Sequence, residues 1–309
     1  MKRAVDELAA KTSIDVWQCE WSGYLDCLSS VPRQNRVCVA HNVDSVIWRR
    51  HYESERNPWR RLYIREQWRK FEVFERSVFQ KADRVVAVTD EDAQRLSRDF
   101  GVSNVMVVEN GVDCSYYAAS QPVERSRDYL FLGSLDWRPN QDAVRWLLDA
   151  IVPNVLSHHP LVRLHIVGRR PPLWMRRRIS ATVGVELHAD VDDVRPFLRQ
   201  SRLMIVPLRV GGGSRLKILE ALATELPVVS TSIGAEGLRL IPGEHYLEGN
   251  RTDELVEHVL SILEGRTLTK ELTLAGCELV RQEYDWGGLA DRLNDVWMSK
   301  NAAVTAGSM

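Results

Sequence analysis

From residue 129 onward, short apolar runs alternate with amphipathic stretches of helical period. The runs are "YLFLGS" (129–134), "RLHIVG" (163–168), "VELHA" (185–189), "LMIVPL" (203–208), "PVVSTS" (227–232) and "HYLEG" (245–249). Between them lie helical patterns, among them "PNQDAVRWLLDAIVPNVL", opened by Pro139, "DDVRPFLRQS" and "TDELVEHVLSILEG". Short continuous strands with helices between them predict a parallel sheet covered on both faces, a doubly wound α/β unit. The first half repeats the rhythm with fewer units. Strands are predicted at 15–21, 36–43, 84–89 and 105–111, with a long amphipathic helix, "NPWRRLYIREQWRKFEVFERSVFQKA", between the second and third. The polar, unpatterned segment from Cys114 to Arg127 reads as the interdomain linker. The expected organisation is therefore two domains, 1–119 and 120–283, followed by a terminal helical segment, 284–309, crossing back to the first.

Open α/β sheets bind ligands beyond the carboxyl ends of their strands. Residues 211–220, "GGGSRLKILE", follow the strand predicted at 203–208 and so fall at that edge. On a helical wheel Leu216, Leu219, Leu222 and Ala223 share the side expected to face the sheet. Lys217, Glu220 and Thr224 fall together on another, within roughly 60°. Gly211, Gly212, Gly213 and Ser214 would let a ligand touch bare backbone, where free N–H groups and the helix dipole favour an anion. Arg215 and Lys217 add positive charge for a diphosphate, and Glu220 offers two acceptors to a ribose diol. The competing reading makes Lys217–Glu220 a surface ion pair and the glycines a turn. Neither G-x-G-x-x-G nor G-x-x-x-x-G-K-[ST] occurs here.

Composition narrows the class. In 309 residues, 44% apolar and 27% charged content describes a globular chain with room for two cores. A formal net charge of -1 gives no overall reason to expect nucleic acid. Five scattered cysteines without a C-x-x-C pair predict no disulfide framework or zinc site, and fit a reducing compartment. With no apolar leader and no run of membrane-spanning length, the expected location is the cytoplasm.

The glycine-loop segment "GGGSRLKILEALATELPVVSTSIGAEGL" resembles the donor-binding segment of the retaining, group 1 (family 4) glycosyltransferases, which have the two-domain GT-B fold. The likeness is nearest to the branch that builds bacterial exopolysaccharides. "HNVDSVIWRR" (41–50), "ADRVVAVTDEDAQRL" (82–96), "VVENGVD" (107–113), "FLGSLDWRPNQDAVRWL" (131–147), "DVDDVRPFLRQSRLMIVPL" (190–208) and "YDWGGLADRLNDVW" (284–297) also look like family segments, in order.

The resemblance implies two Rossmann-like domains and retaining transfer of a sugar from a UDP- or GDP-type donor to an acceptor hydroxyl. The acceptor would be a glycan or lipid-linked, and the role exopolysaccharide or other cell-surface glycan synthesis. Glu220 matches the second glutamate of the family's Glu-x7-Glu motif, which holds the donor ribose; the first would fall at Gly212. The family's Arg and Lys of the first loop would fall at Ser134 and Pro139, so Arg215 and Lys217, with Arg138 outside them, are the expected diphosphate cations. His41 matches the histidine directed at donor sugar and phosphate. The catalytic set is thus His41, Lys217 and Arg215, and the donor-binding set is residues 211–214 with Glu220, Ser134 and the backbone near Val191. No cofactor and no metal are implied. The family's first strand and glycine loop lack a counterpart here, so the N-terminal domain is expected to be incomplete. That observation motivates an alternative, a non-catalytic GT-B-like subunit that binds nucleotide or a partner; a nucleotide-sugar epimerase is a further one.

Two other segments bear on metal binding and membrane contact. "DVD" at 190–192 is expected to cap the helix that follows, through Asp190 or Asp192, rather than hold a metal. Residues 49–81 carry ten Lys/Arg against five Asp/Glu with interleaved aromatics. They read as a solvated helix with an aromatic core stripe, or else as a peripheral contact with an anionic membrane.

Overall fold

The computed structural model describes residues 1–32, 36–55, 57–118, 124–210, 215–267 and 269–299, apart from the Ser54 side chain. It separates into two compact units. Among the described residues, the first holds those up to Asn110 and from Leu289, and the second those from Gly111 to Gly288.

In the first unit the sheet is β1 (Trp17–Cys19), β2 (Arg36–Ala40), β3 (Arg84–Ala87) and β4 (Val105–Val107), in that order and all parallel. β2 and β3 are buried at every position, as continuous apolar strands must be when both faces are covered. One face packs on the Asp44–Ser54 and Pro58–Phe79 helices. The other meets the final helix, Trp286–Met298, whose Leu289, Leu293 and Val296 pack on Val37, Val39, Val86 and Val108. Arg84 reaches that helix's C-terminal end, donating to the carbonyls of Val296, Trp297 and Ser299, where a cation is favoured by the dipole.

The aromatics of the basic helix are divided. Phe71 stacks on Trp48 and Trp68 packs near Tyr52, between the two helices, while Trp59 is exposed. No helix among the described residues is long and apolar enough to cross a membrane.

The second unit's sheet contains β5 (Tyr129–Leu132), β6 (Leu164–Gly168), β7 (Val185–Ala189), β8 (Leu203–Val206), β9 (Val228–Ser230) and β10 (Leu247–Glu248). Their order is β10-β9-β8-β5-β6-β7, all parallel. The chain first winds from β5 out to β7, then returns to β8 and winds the other way. This reversal leaves a crevice beyond the carboxyl ends of β5 and β8, the place where doubly wound sheets take ligands.

Two details correct the sequence reading. Leu216 does not face the sheet but is 39% exposed, whereas Ile218 and Ala221, off the predicted stripe, are fully buried. The helix is apolar on nearly every side, so its wheel underdetermines which face is inward. The helix Arg195–Gln200 is not capped by Asp190 or Asp192. Asp193 accepts from the Arg195 amide, and Asp190, at φ 57°, accepts instead from the amide of Arg170. The described residues of the expected linker are tied to the second unit. Cys114–Tyr117 is a helical turn, and Arg125 donates to the carbonyls of Leu198, Ser201, Thr224 and Glu225.

Candidate functional site

At the crevice, Gly133 and Ser134 follow β5, and a helix begins at Arg138. Asn140, 2% exposed in the first turn of that helix, donates through Nδ2 to the Ser134 carbonyl at 2.8 Å. This fixes the amide so that its Oδ1 accepts from Lys217 Nζ at 2.9 Å. A Cβ on Gly133 would lie 2.7 Å from Asn140 Nδ2 and 2.8 Å from Lys217 Nζ. A side chain there would therefore displace both groups from these positions. Lys217 Nζ also lies 5.0 Å from the centroid of the Phe131 ring.

The electrostatics of Lys217 are unusual. Burial first, and the neighbouring Arg215 second, push its pKa down to about 7, with Glu220 opposing. Lys217 and Glu220 do not close into the surface ion pair that was the competing reading. Glu220 instead accepts a hydrogen bond from the Tyr117 hydroxyl at 3.0 Å. Its pKa is raised, because burial outweighs the help from Tyr117 and Lys217. The phenol is in turn held above its ordinary range, by burial first and then by Glu220. Two cations thus stand together with one carboxylate a helical turn away, engaged elsewhere. A half-buried ammonium whose hydrogen bond goes to a neutral amide favours the arrival of an anion.

Arg215 stands at the start of the Leu216–Ala223 helix. It is 3% exposed, donates through Nη2 to the Ile233 carbonyl at 2.8 Å, and lies 3.6 Å from Glu236. It ties the start of the Leu216–Ala223 helix to the loop after β9, contributing its field to Lys217 from behind. Thr231 makes a second tie, donating to the Leu208 carbonyl at 2.6 Å and accepting from the Gly234 amide. Before the glycine loop, Arg209 grips both oxygens of Asp142 at 2.9 and 2.7 Å. The loop itself, Gly211, Gly212, Gly213 and Ser214, lies outside the described residues.

The crevice therefore gathers Ser134, Lys217, Glu220 and Arg215 from the sequence-derived set, and adds Asn140 and Tyr117, which sequence reasoning missed. The glycine at the end of β5 was a signal for Asn140, since something must occupy the missing side chain's space. Tyr117 sits in a segment read as linker and carried no signal. Val191 follows β7, half-buried, with Asp190 anchoring the turn. His41 belongs to the first unit, after β2. Its Nε2 lies 3.0 Å from Glu20 Oε2, and its ring is 5.4 Å from that of Trp21.

Comparison with known proteins follows this division of the chain. Residues 2–116 match the family model described as Glycosyltransferase Family 4, and residues 126–265 the model described as Glycosyl transferases group 1. A 44.6 kDa protein of the cps region of Klebsiella pneumoniae is 20% identical over 83% of this chain and 67% of its own length. A GDP-mannose-dependent monoacylated alpha-(1-6)-phosphatidylinositol monomannoside mannosyltransferase of Corynebacterium glutamicum is 23% identical over 73% of this chain and 64% of its own. The chain thus spans about two thirds of the length of these curated relatives.

Among solved structures, sucrose-phosphate synthase from Thermosynechococcus elongatus superposes with a TM-score of 0.73 at 17% identity, covering 96% of this chain and 76% of that one. Anabaena HepE, solved with UDP and glucose, gives 0.72 at 13%, covering 96% and 81%. These likenesses show the fold, which is that of GT-B glycosyltransferases with two Rossmann-like domains. The two family matches, one on each half, show that the chain carries glycosyltransferase domains of the family 4 and group 1 kinds.

Proposed function

We propose that this chain transfers a sugar from a nucleotide-diphosphate sugar to an acceptor hydroxyl with retention of configuration, in the assembly of exopolysaccharide or another cell-surface glycan. The observation that carries the donor half is the half-buried Lys217 ammonium, pinned to Asn140 beside Gly133, with no carboxylate among the described residues closing on it. The diphosphate would lie at the carboxyl ends of β5 and β8, with Lys217 as its direct cation and Arg215 behind. As the sugar leaves, negative charge grows on the diphosphate. Donors already oriented there stabilise it without reorganisation. Amides of residues 211–214 are proposed to share this role. Glu220, steadied by Tyr117, would accept from the ribose hydroxyls, and the backbone near Val191 would flank the base. His41 enters as the polar group of the first unit, through the family resemblance. The acceptor, a glycan or lipid-linked hydroxyl, and peripheral contact with an anionic membrane through the basic Pro58–Phe79 helix belong to the same reading, as does residence in the cytoplasm.

The test is a titration of UDP, GDP, ADP and dTDP against the wild type and Glu220→Ala. Selective binding by one base is expected. The substitution should weaken it by about 2–3 kcal/mol, or roughly 30- to 150-fold, the scale of a hydrogen bond to a charged group. An unchanged affinity in Glu220→Ala overturns the ribose assignment. The anomeric configuration of the transferred sugar, read by NMR with the matching donor, tests retention.

A further inference from the structure

The far edge of the second sheet holds a cluster that sugar transfer does not use. His165 on β6 and Glu186 on β7 are register partners, and His188 follows Glu186 by two residues. Alternation along a strand puts Glu186 and His188 on one face. Three ligand-capable atoms converge there. His165 Nδ1 and His188 Nε2 are 3.0 Å apart, and Glu186 Oε2 lies 3.6 Å from the first and 3.8 Å from the second.

A tetrahedral zinc ion, with bonds of about 2.0–2.2 Å to nitrogen and oxygen, separates its ligand atoms by about 3.3–3.5 Å. The triangle is close to that size before any adjustment. The surrounding contacts are those that a metal site needs. His165 turns its other nitrogen, Nε2, toward Asp128 Oδ2 at 3.4 Å, the carboxylate–histidine arrangement that sets a ligand's tautomer and leaves Nδ1 with its lone pair inward. Arg163 bonds the other oxygen of Glu186, leaving Oε2 for the cluster. Phe197 packs on the His188 ring at 4.6 Å between centroids and fixes its plane. His165 and His188 border a cavity of about 530 Å³ also lined by Ser126 and Gln200, which leaves a fourth position open to water.

We propose that His165, Glu186 and His188 bind one zinc-type divalent ion, which clamps β6 to β7. Two imidazoles and a carboxylate suit zinc and its late first-row neighbours rather than magnesium or calcium. Asp128 precedes β5 and His165 lies in the first half of β6, so the ion sits away from the carboxyl ends that carry Lys217. Its effect is expected on the stability of the second unit, not on donor chemistry, and the inference is independent of the proposed function.

The experiment titrates Zn²⁺ into the chelator-stripped chain against a chromophoric chelator. One equivalent should bind with a micromolar or lower Kd, and raise the unfolding temperature. Glu186→Gln and His188→Asn should each weaken binding at least tenfold while keeping the circular dichroism of the ion-free wild type. His159→Gln, beside Glu264 elsewhere on the surface, should bind as the wild type does. Co²⁺ in the wild type should give the intense visible bands of a tetrahedral site, a readout that needs no variant. Absence of binding, retention of it in both cluster variants, or a weak octahedral Co²⁺ spectrum would each overturn the assignment.

Discussion

Lys217 Nζ donates to Asn140 Oδ1 at 2.9 Å, and among the described residues no carboxylate comes within ion-pair distance of it. A neutral amide orients the ammonium but does not neutralise it. The ammonium therefore carries a desolvation cost that a diphosphate would offset.

Lys217→Met should separate binding from stability. Losing the charge should weaken nucleoside diphosphate binding by about 1.5–3 kcal/mol, tenfold to a hundredfold or more. Removing a desolvated charge should also stabilise the ligand-free chain. Urea unfolding without nucleotide gives the second quantity. A variant that both binds normally and unfolds earlier contradicts the account.

The same lysine predicts how donor affinity varies with pH. Its pKa in the free protein is about 7, and a bound diphosphate must raise it. Affinity for a nucleotide sugar, whose diphosphate has no titrating proton near neutrality, should therefore be complete below pH 7. It should fall as pH rises, by up to tenfold per unit until the bound-state pKa is reached. Isothermal titration at pH 6, 7.5 and 9 reads this directly, and Lys217→Met should flatten the profile.

Tyr117 is expected to act only through Glu220. Tyr117→Phe should weaken nucleotide binding by about 1 kcal/mol, near fivefold, since one hydrogen bond that steadies the carboxylate is lost. In a Glu220→Ala background the same change should do almost nothing. A double-mutant cycle that proves additive would show that Tyr117 contributes by some other route.

In the first unit, the fully buried Glu75 carboxylate accepts from the amides of Asp44 at 2.7 Å and Ser45 at 3.1 Å, capping a helix from a distance in sequence. Burial pushes its pKa up to about 7, from an ordinary 4.5, despite those bonds. The folded chain consequently holds a proton that the unfolded chain gives up between these values. This contribution to stability is fully present below pH 4.5 and is lost as pH rises through 7. Melting curves of Glu75→Gln should lose that part of the pH dependence.

How far the sequence discloses this architecture depends on the range of the interaction. Every predicted strand is present: the central β5 and β8, buried at every position, advertise themselves as uninterrupted apolar runs, while the partly exposed β1, β4, β7 and β10 were placed by the rhythm of strand and helix around them. Lys217 and Glu220 were legible together because they share one helix. Their partners were not: Asn140 is 77 residues from Lys217, and Tyr117 is 103 from Glu220. Glu75 looked like one more charge on an amphipathic helix, and no local pattern distinguishes a solvated glutamate from one buried under another helix's first turn. The histidine cluster was missed for the same reason, although "VELHA" did place Glu186 and His188 on one side of a strand. The capping error at Asp190 arose because an aspartate near a helix start has several amides within reach.

The bond from Arg84 to the carbonyl of Val296 joins residues 212 positions apart. During synthesis the nascent chain must therefore carry β2 and β3 with one apolar face bare while the entire second unit is still being made. Val37, Val39, Val86 and Val108 gain their cover only when the last helix leaves the ribosome. The unit translated first is the one completed last, and throughout that interval its valine face is a surface on which chaperones and neighbouring chains compete.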